Sequence, residues 1–280
     1  MNDEGKNNSP ESLNEDRLVL EDIRTRIAEC DLDIADALTR RMDCVEEIIS
    51  YKKKHGMIIF QGDQEKKQRH ILSAAIAGHK HEDAILGVYR EIIKSSRRIQ
   101  AKSLFPKNIF LVGFMGAGKT TVSGRLSTLL EMEEVDTDRM IVNWTGLPIK
   151  DIFAQYGEEY FRDLETTTLR SLVPRKQLII SCGGGMTLRR ENVDLMRDNG
   201  VVVWLTATPE TVYERVHLDQ DRPLLNGRMN VPAIRELMES REERYRNAAD
   251  VSVPTDGLTI LEICELLTKR VLEFQNSSAG

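Results

Sequence analysis

The sequence predicts an all-α helical N-terminal domain followed by an α/β domain built on a central parallel sheet. Three observations predict it. Residues 17–102 carry helical periodicity, with no strand-like alternation and no proline. The segment Ser103-Leu104-Phe105-Pro106-Lys107-Asn108 then breaks the helix, because proline disfavours helical geometry in the residue before it. Beyond it, short apolar runs at 109–112, 178–180 and 201–205 alternate with helical segments, as the strands of a parallel sheet covered on both faces do. The expected organisation is a polar, disordered tail (1–15), a helical domain (16–102), a linker (103–107), an α/β domain (108–273) and a frayed tail (274–280).

Composition narrows the function classes. With 280 residues, 40% hydrophobic and 30% charged, the chain is long enough for two domains with separate cores. No apolar run is long enough to cross a bilayer, and the first residues lack the basic and apolar regions of a secretion signal, so a cytoplasmic location and no membrane partner are expected. A net charge of −6 argues against nucleic acid as the main partner, since phosphate-backbone binding needs a basic face. A few arginines converging in one pocket suffice for anionic small molecules. Cys30, Cys44, Cys182 and Cys264 form no CxxC pair and read as reduced, mostly buried thiols. The five histidines lack zinc-binding spacing, and His79 and His81 read as solvated.

In the first long helix, Ile23, Ile27, Ile34, Leu38, Val45 and Ile48 form an apolar stripe at three- and four-residue steps. Arg41 and Lys52 interrupt it. Eleven residues is close to three helical turns, so both cations project from the face expected to point inward. Two inward cations cost several kcal/mol unless an anion meets them. In the last helix of this domain the stripe Ile85, Tyr89, Ile92, Ile93 continues as Ser96 and Gln100, so hydrogen-bonding groups replace apolar ones along the inner face.

The run at 109–112 leads directly into Gly113-Phe114-Met115-Gly116-Ala117-Gly118-Lys119-Thr120, which fits GxxxxGK[ST], and an amphipathic helix follows. In that context the backbone N–H groups of Gly113, Met115, Gly116, Ala117, Gly118 and the first helical residues, Thr121 included, point at phosphate oxygens, and the helix N-terminus adds positive potential. Lys119 would neutralise the β- and γ-phosphates of ATP, and the Thr120 hydroxyl would sit on Mg²⁺.

Further motifs follow in order. They are Asp136-Thr137-Asp138, Gly157-Glu158-Glu159-Tyr160-Phe161-Arg162 with Glu165, Gly183-Gly184-Gly185, Arg222-Pro223-Leu224-Leu225, and Arg241 with Tyr245. Taken singly, either aspartate reads as a helix N-cap, each arginine as a surface ion-pair former, and the glycines as a plain loop. Together and in this order the motifs resemble the shikimate kinase family over nearly all of 108–273. The resemblance implies that Arg162 and Arg241 grip the shikimate carboxylate, where a guanidinium binds two oxygens at once. It implies that Glu165 holds Arg162 in position, that Gly184 and Gly185 let the backbone approach the substrate, and that Asp138 orients the attacking hydroxyl and accepts its proton. Asp136 would support Mg²⁺ through its waters, Arg215 would stack on the adenine, and Arg222 would close over ATP and stabilise the transferring phosphoryl group. The alternative is another kinase with the same phosphate loop, acting on gluconate or a nucleotide.

The helical domain resembles the all-helical chorismate mutases. That resemblance implies an intertwined homodimer in which Arg24 enters the partner's site. It also implies a chorismate site of Arg24, Arg41, Lys52, Glu65, Ser96 and Gln100, with Glu65 on the ring hydroxyl. Rearrangement to prephenate needs no nucleophile or metal, only a cage that holds the reactive conformer and stabilises charge at the ether oxygen. One departure stands out. The family commonly has D-x-x-R-E before the second helix, and this chain has Gln61-Gly62-Asp63-Gln64-Glu65, so Gln61 and Gln64 replace an aspartate and an arginine. A mutase-derived regulatory or dimerising module, and a plain helical bundle with its cations reaching out to water, are the competing readings.

Overall fold

The computed structural model describes residues 10–55, 62–217 and 230–278. The chain divides into two compact units, Met1–Ile48 and Ile49–Gly280. Helix α1 (Pro10–His55) starts inside the stretch expected to be a tail. Proline as the first helical residue explains that start, since its fixed φ suits the helix and its missing N–H would have no intrahelical partner.

At 46 residues, α1 is roughly 70 Å long. The stripe expected to point inward is partly in solvent in the single chain: Ile23, Ile27, Ile34 and Ile48 are between 44% and 55% exposed, and only Val45 is buried. Two shorter helices follow, α2 (Gly62–Ala75) and α3 (Glu82–Leu104). Cys30 and Cys44 of α1 are likewise exposed, against the expectation of mostly buried thiols, whereas Cys182 and Cys264 are buried. Helix α3 ends at the predicted break: Phe105, wholly buried, returns its N–H to the Ala101 carbonyl at 2.7 Å, one residue before Pro106.

The α/β layer follows as β1 (Asn108–Val112), α4 (Lys119–Leu130), β2 (Glu133–Asp136), α5 (Thr137–Thr145), α6 (Ile149–Leu172), β3 (Leu178–Ser181), α7 (Arg190–Asn199), β4 (Gly200–Thr206), α8 (Pro209–Val216), α9 (Val231–Ala248), β5 (Val251–Pro254) and α10 (Ile260–Ser278). The sheet order is β2-β3-β1-β4-β5 and every pairing is parallel. The three apolar runs read from the sequence are the three inner strands, buried throughout apart from two partly exposed residues of β4. The edge strands β2 and β5 are four residues each and half-exposed, so neither shows an apolar run. Helix α10 continues to Ser278 through most of the segment expected to fray.

This order fixes where chemistry sits. In an open parallel sheet, ligands bind beyond the carboxyl ends of the strands, where neighbouring connections diverge. Gly113, Thr137, Cys182, Ala207 and Thr255 each follow a strand, and all lie at that one end of the sheet.

Candidate active site

The loop after β1 turns into α4 through Gly118, whose φ of 93° lies in the left-handed region, so that Lys119, Thr120 and Thr121 form the first helical turn. Lys119 curls back over the loop and donates from Nζ to the carbonyls of Gly113 (2.8 Å) and Phe114 (3.0 Å). Thr120 Oγ1 donates to Asp136 Oδ2 at 2.9 Å. Asp136 is also the N-cap of α5, its Oδ1 accepting from the Arg139 N–H at 3.1 Å, so the structural role raised by the sequence coexists with the contact to Thr120. The Arg215 guanidinium donates to the carbonyls of Gly116 and Thr255, tying the phosphate-loop motif to the turn after β5.

A second group of charges gathers at the glycine turn that follows β3. Helix α6 is bent at Gly157, where φ is 83°, and the turn that follows presents Arg162 and Glu165. Both are buried, Glu165 completely. Arg162 donates to Glu165 Oε2 at 2.7 Å and to Glu158 Oε1 at 2.6 Å, and its guanidinium lies over the rings of Phe153 and Phe161. Glu165 Oε1 is buried with no hydrogen-bond partner among the described residues. Burial pushes the Glu165 carboxyl up to about 7, with Arg162 opposing and the Asp138 charge adding to the rise.

The glycine turn lies against these groups. A Cβ on Gly183 would stand 2.5 Å from Asp138 Oδ1 and 2.7 Å from Glu165 Oε1, and one on Gly185 would overlap the Arg162 guanidinium. Asp138, Arg162, Glu165, Gly184 and Gly185 are therefore brought together. Arg241 is buried on α9. One turn later, Tyr245 donates from its hydroxyl to the Gly184 carbonyl at 2.6 Å and stands within electrostatic reach of Arg241, Glu165 and Arg162. Arg222 lies outside the described residues.

Three supporting residues stand within the motifs read from the sequence but were given no role there. Thr137 accepts the Gly183 N–H at 2.9 Å, Tyr245 holds the Gly184 carbonyl, and Glu158 braces Arg162. Only Glu158 left a local signal, an acid four residues before a cation on one helix. Residues that expose only oxygen atoms to a cation suit Mg²⁺, and Thr120 and Asp136, with Ser181 Oγ 3.4 Å from Thr120 Oγ1, form such a set.

In the unit Ile49–Gly280, Lys52 is buried and donates from Nζ to Gln100 Oε1 at 3.1 Å. Burial lowers its pKa from the usual lysine range, and the Glu65 charge opposes that. Glu65 is engaged by Arg97, and Ser96, buried, donates to its own helix at the Ile92 carbonyl, 2.9 Å away. Lys52, Glu65 and Gln100 are thus brought together, and the polar partner reached by the inward Lys52 is an amide as well as a nearby carboxylate. In the other unit, Arg24 is exposed and Arg41 half-buried on α1. Gln64 is exposed, and Gln61 lies outside the described residues.

Comparison with known proteins agrees with both halves. The shikimate kinase family model matches residues 115–272, and the chorismate mutase type II model matches 23–101. A shikimate kinase of Sulfurihydrogenibium sp. is 44% identical over 164 residues, covering 58% of this chain and 97% of the relative. One from Persephonella marina is 42% identical over 165 residues, covering 59% and 99%. The solved shikimate kinase from Acinetobacter baumannii, in complex with shikimate, superposes with a TM-score of 0.57 at 35% identity over 64% of this chain and 98% of that one. The chain belongs to the shikimate kinase family, and it carries a chorismate mutase type II domain ahead of the kinase domain.

Proposed function

We propose that the α/β domain, residues 108–273, transfers the γ-phosphoryl group of ATP to a hydroxyl of shikimate, giving shikimate 3-phosphate. The observation that carries this reading is the packing of Asp138, Glu165 and Arg162 around the turn 183–185, at the same end of the sheet as the phosphate-loop motif. A carboxylate, a buried guanidinium and an approachable backbone are what a hydroxylated carboxylic acid needs.

In this reading the amides of 113–121 and Lys119 hold the ATP phosphates, and Arg215 takes the adenine side. Thr120, and Asp136 through bound waters, would hold Mg²⁺, which when bound would supply positive charge against the phosphates. Arg162 and Arg241 bind the substrate carboxylate, Glu165 fixes Arg162, and the amides of Gly184 and Gly185 face the ring. Asp138 orients the attacking hydroxyl and accepts its proton as the oxygen bonds to phosphorus and the bond to the leaving ADP oxygen breaks. Phosphorylation rates compared across shikimate, gluconate and nucleoside monophosphates test the assignment. Shikimate is expected to be preferred by orders of magnitude, and a better acceptor would sink it.

We further propose that residues 16–102 rearrange chorismate to prephenate in a homodimer formed through this domain. Arg24, Arg41 and Lys52 would hold the two carboxylates and ether oxygen, Gln100 and Ser96 would complete the cage, and Glu65 would take the ring hydroxyl. The pairing of Lys52 with Gln100 supports it, as do the exposed isoleucines of α1, which a second copy would cover. The test is prephenate formation by the full chain, with Arg41→Ala as the control. No turnover from a preparation with active kinase would leave a ligand-sensing or dimerising module. No helix among the described residues is long and apolar enough to cross a membrane, and we place the protein in the cytoplasm.

A further inference from the structure

The helical domain carries a charged residue that the resemblance did not single out. Arg97, on α3, donates from Nε to Glu65 Oε1 at 2.9 Å, and a second guanidinium nitrogen bonds Glu65 Oε2. The pair is bidentate, the geometry in which a guanidinium fixes both the position and the plane of a carboxylate. It is partly shielded, with side-chain exposures of 25% for Arg97 and 29% for Glu65. Both residues line a cavity of about 380 Å³ whose wall also includes Arg69, Tyr89, Arg90 and Lys94.

The placement of the pair matters. Glu65 follows Gln64 directly in the first turns of α2, and the Gln64 side chain is exposed. Glu65 is also the carboxylate whose charge supports Lys52, while Lys52 is bonded to Gln100, three residues beyond Arg97 on α3. Two hydrogen-bonded pairs, Arg97–Glu65 and Lys52–Gln100, are therefore linked by the attraction between the Glu65 and Lys52 charges across α3, α2 and the end of α1. An arginine at position 64 would have placed a cation beside Glu65 from α2. In this chain a cation stands beside Glu65 from α3 instead.

We propose that Arg97 replaces the cation missing at position 64. It is a positioning residue that fixes the position and plane of the Glu65 carboxylate in the wall of a site for a cyclic dicarboxylate of the chorismate–prephenate class. The inference rests on the mutase reading of the helical domain. An ion pair that only stitches α2 to α3 makes a different prediction. It affects folding but does not care whether a cation is restored from position 64.

The test uses the full chain and its Arg97→Ala, Arg97→Lys and Arg97→Ala/Gln64→Arg variants. Three quantities are measured: chorismate turnover, prephenate binding by calorimetry, and the thermal unfolding midpoint. Arg97→Ala is expected to weaken kcat/KM and prephenate affinity by about 10- to 100-fold. Arg97→Lys should fall between, because an ammonium cannot make the bidentate contact. The double variant should recover most of the loss. Should Arg97→Ala unfold, the lysine variant and the double variant carry the comparison. Turnover and binding within about threefold of wild type in a folded Arg97→Ala would overturn the proposal. So would a double variant that melts like wild type yet binds no better than Arg97→Ala. Prephenate binding that depends on Arg97 in a protein without turnover would sink the catalytic reading and keep this one. A wild-type chain that neither binds prephenate nor turns over chorismate would overturn both.

Discussion

Asp138 and Glu165 face one another across Gly183, each with a carboxylate oxygen within 2.7 Å of where a Cβ of that glycine would stand. Two carboxylates this close to one backbone position cannot be electrostatically independent. Burial raises the Glu165 pKa to about 7, and the neighbouring Asp138 charge pushes the same way.

The first prediction concerns pH. Arg162 needs an ionised Glu165 to hold it at 2.7 Å. Because that carboxyl titrates near 7, acidification below 7 should protonate it, release Arg162 and raise KM for shikimate while changing KM for ATP little. Glu165→Gln should show the raised KM at every pH and lose the pH dependence. A shikimate KM flat from pH 8 to pH 6 in the wild-type chain would rule out Glu165 as the group that fixes Arg162.

The second prediction separates two adjacent glycines. A methyl group at Gly185 would overlap the Arg162 guanidinium, whereas at Gly184 the nearest atom would be 3.9 Å away, an ordinary contact. The backbone at Gly185 is unexceptional, with φ of −99°, so the effect of Gly185→Ala is steric alone. Gly185→Ala should raise shikimate KM by about tenfold or more through displacement of Arg162, and Gly184→Ala should change it far less. Steady-state kinetics on the two variants decide it, and an unchanged shikimate KM in Gly185→Ala would show that Arg162 yields without consequence.

A third prediction exploits the two oxygens of Asp136. Oδ2 accepts from Thr120, and Oδ1 caps α5 through the Arg139 N–H. Asparagine caps a helix as well as aspartate does but carries no charge. Asp136→Asn should therefore keep the unfolding midpoint while lowering kcat and weakening the Mg²⁺ dependence of the kinase. Asp136→Ala should lose activity and, in addition, about 1 kcal/mol of stability. If Asp136→Asn is fully active across Mg²⁺ concentrations, Asp136 serves the helix and not the metal.

The parts of this fold that could be read from the chain are those with a local signature. The inner strands are continuous apolar runs because both faces of the sheet are covered there, and Pro106 marks the end of α3. The edge strands escaped because each is short and half in solvent, so burial stamps no pattern on residues such as Glu133 and Glu134. In the site, Lys119 and Thr120 follow from a contiguous motif. Tyr245 bonds the Gly184 carbonyl from 61 positions away, and Arg97 reaches Glu65 from 32 away. Such contacts depend on how helices pack, and no spacing in the sequence encodes them. The exposed isoleucines of α1 misled for a related reason: periodicity identifies an apolar face without saying what covers it.

That uncovered face yields the last prediction. Ile23 is 44% exposed, and Ile27 and Ile34 are each 55% exposed. Ile23 and Ile27 are one turn apart, and Ile34 lies two turns beyond Ile27 on the same side of the helix. Full burial of such a side chain is worth about 1.5–3 kcal/mol, so a self-complementary contact along this stripe gives each copy several kcal/mol. The wild-type chain should therefore sediment at twice its mass of 31.9 kDa. Ile27→Asp/Ile34→Asp should shift it to the monomer and abolish any mutase turnover, since the proposed site takes Arg24 from a second copy. Kinase activity should survive, because these residues lie on α1, far in sequence from the phosphate loop and from every residue assigned to shikimate. A monomeric wild-type chain, or a dimer untouched by both aspartates, would mean that the stripe serves another purpose and that Arg24 belongs to no shared site.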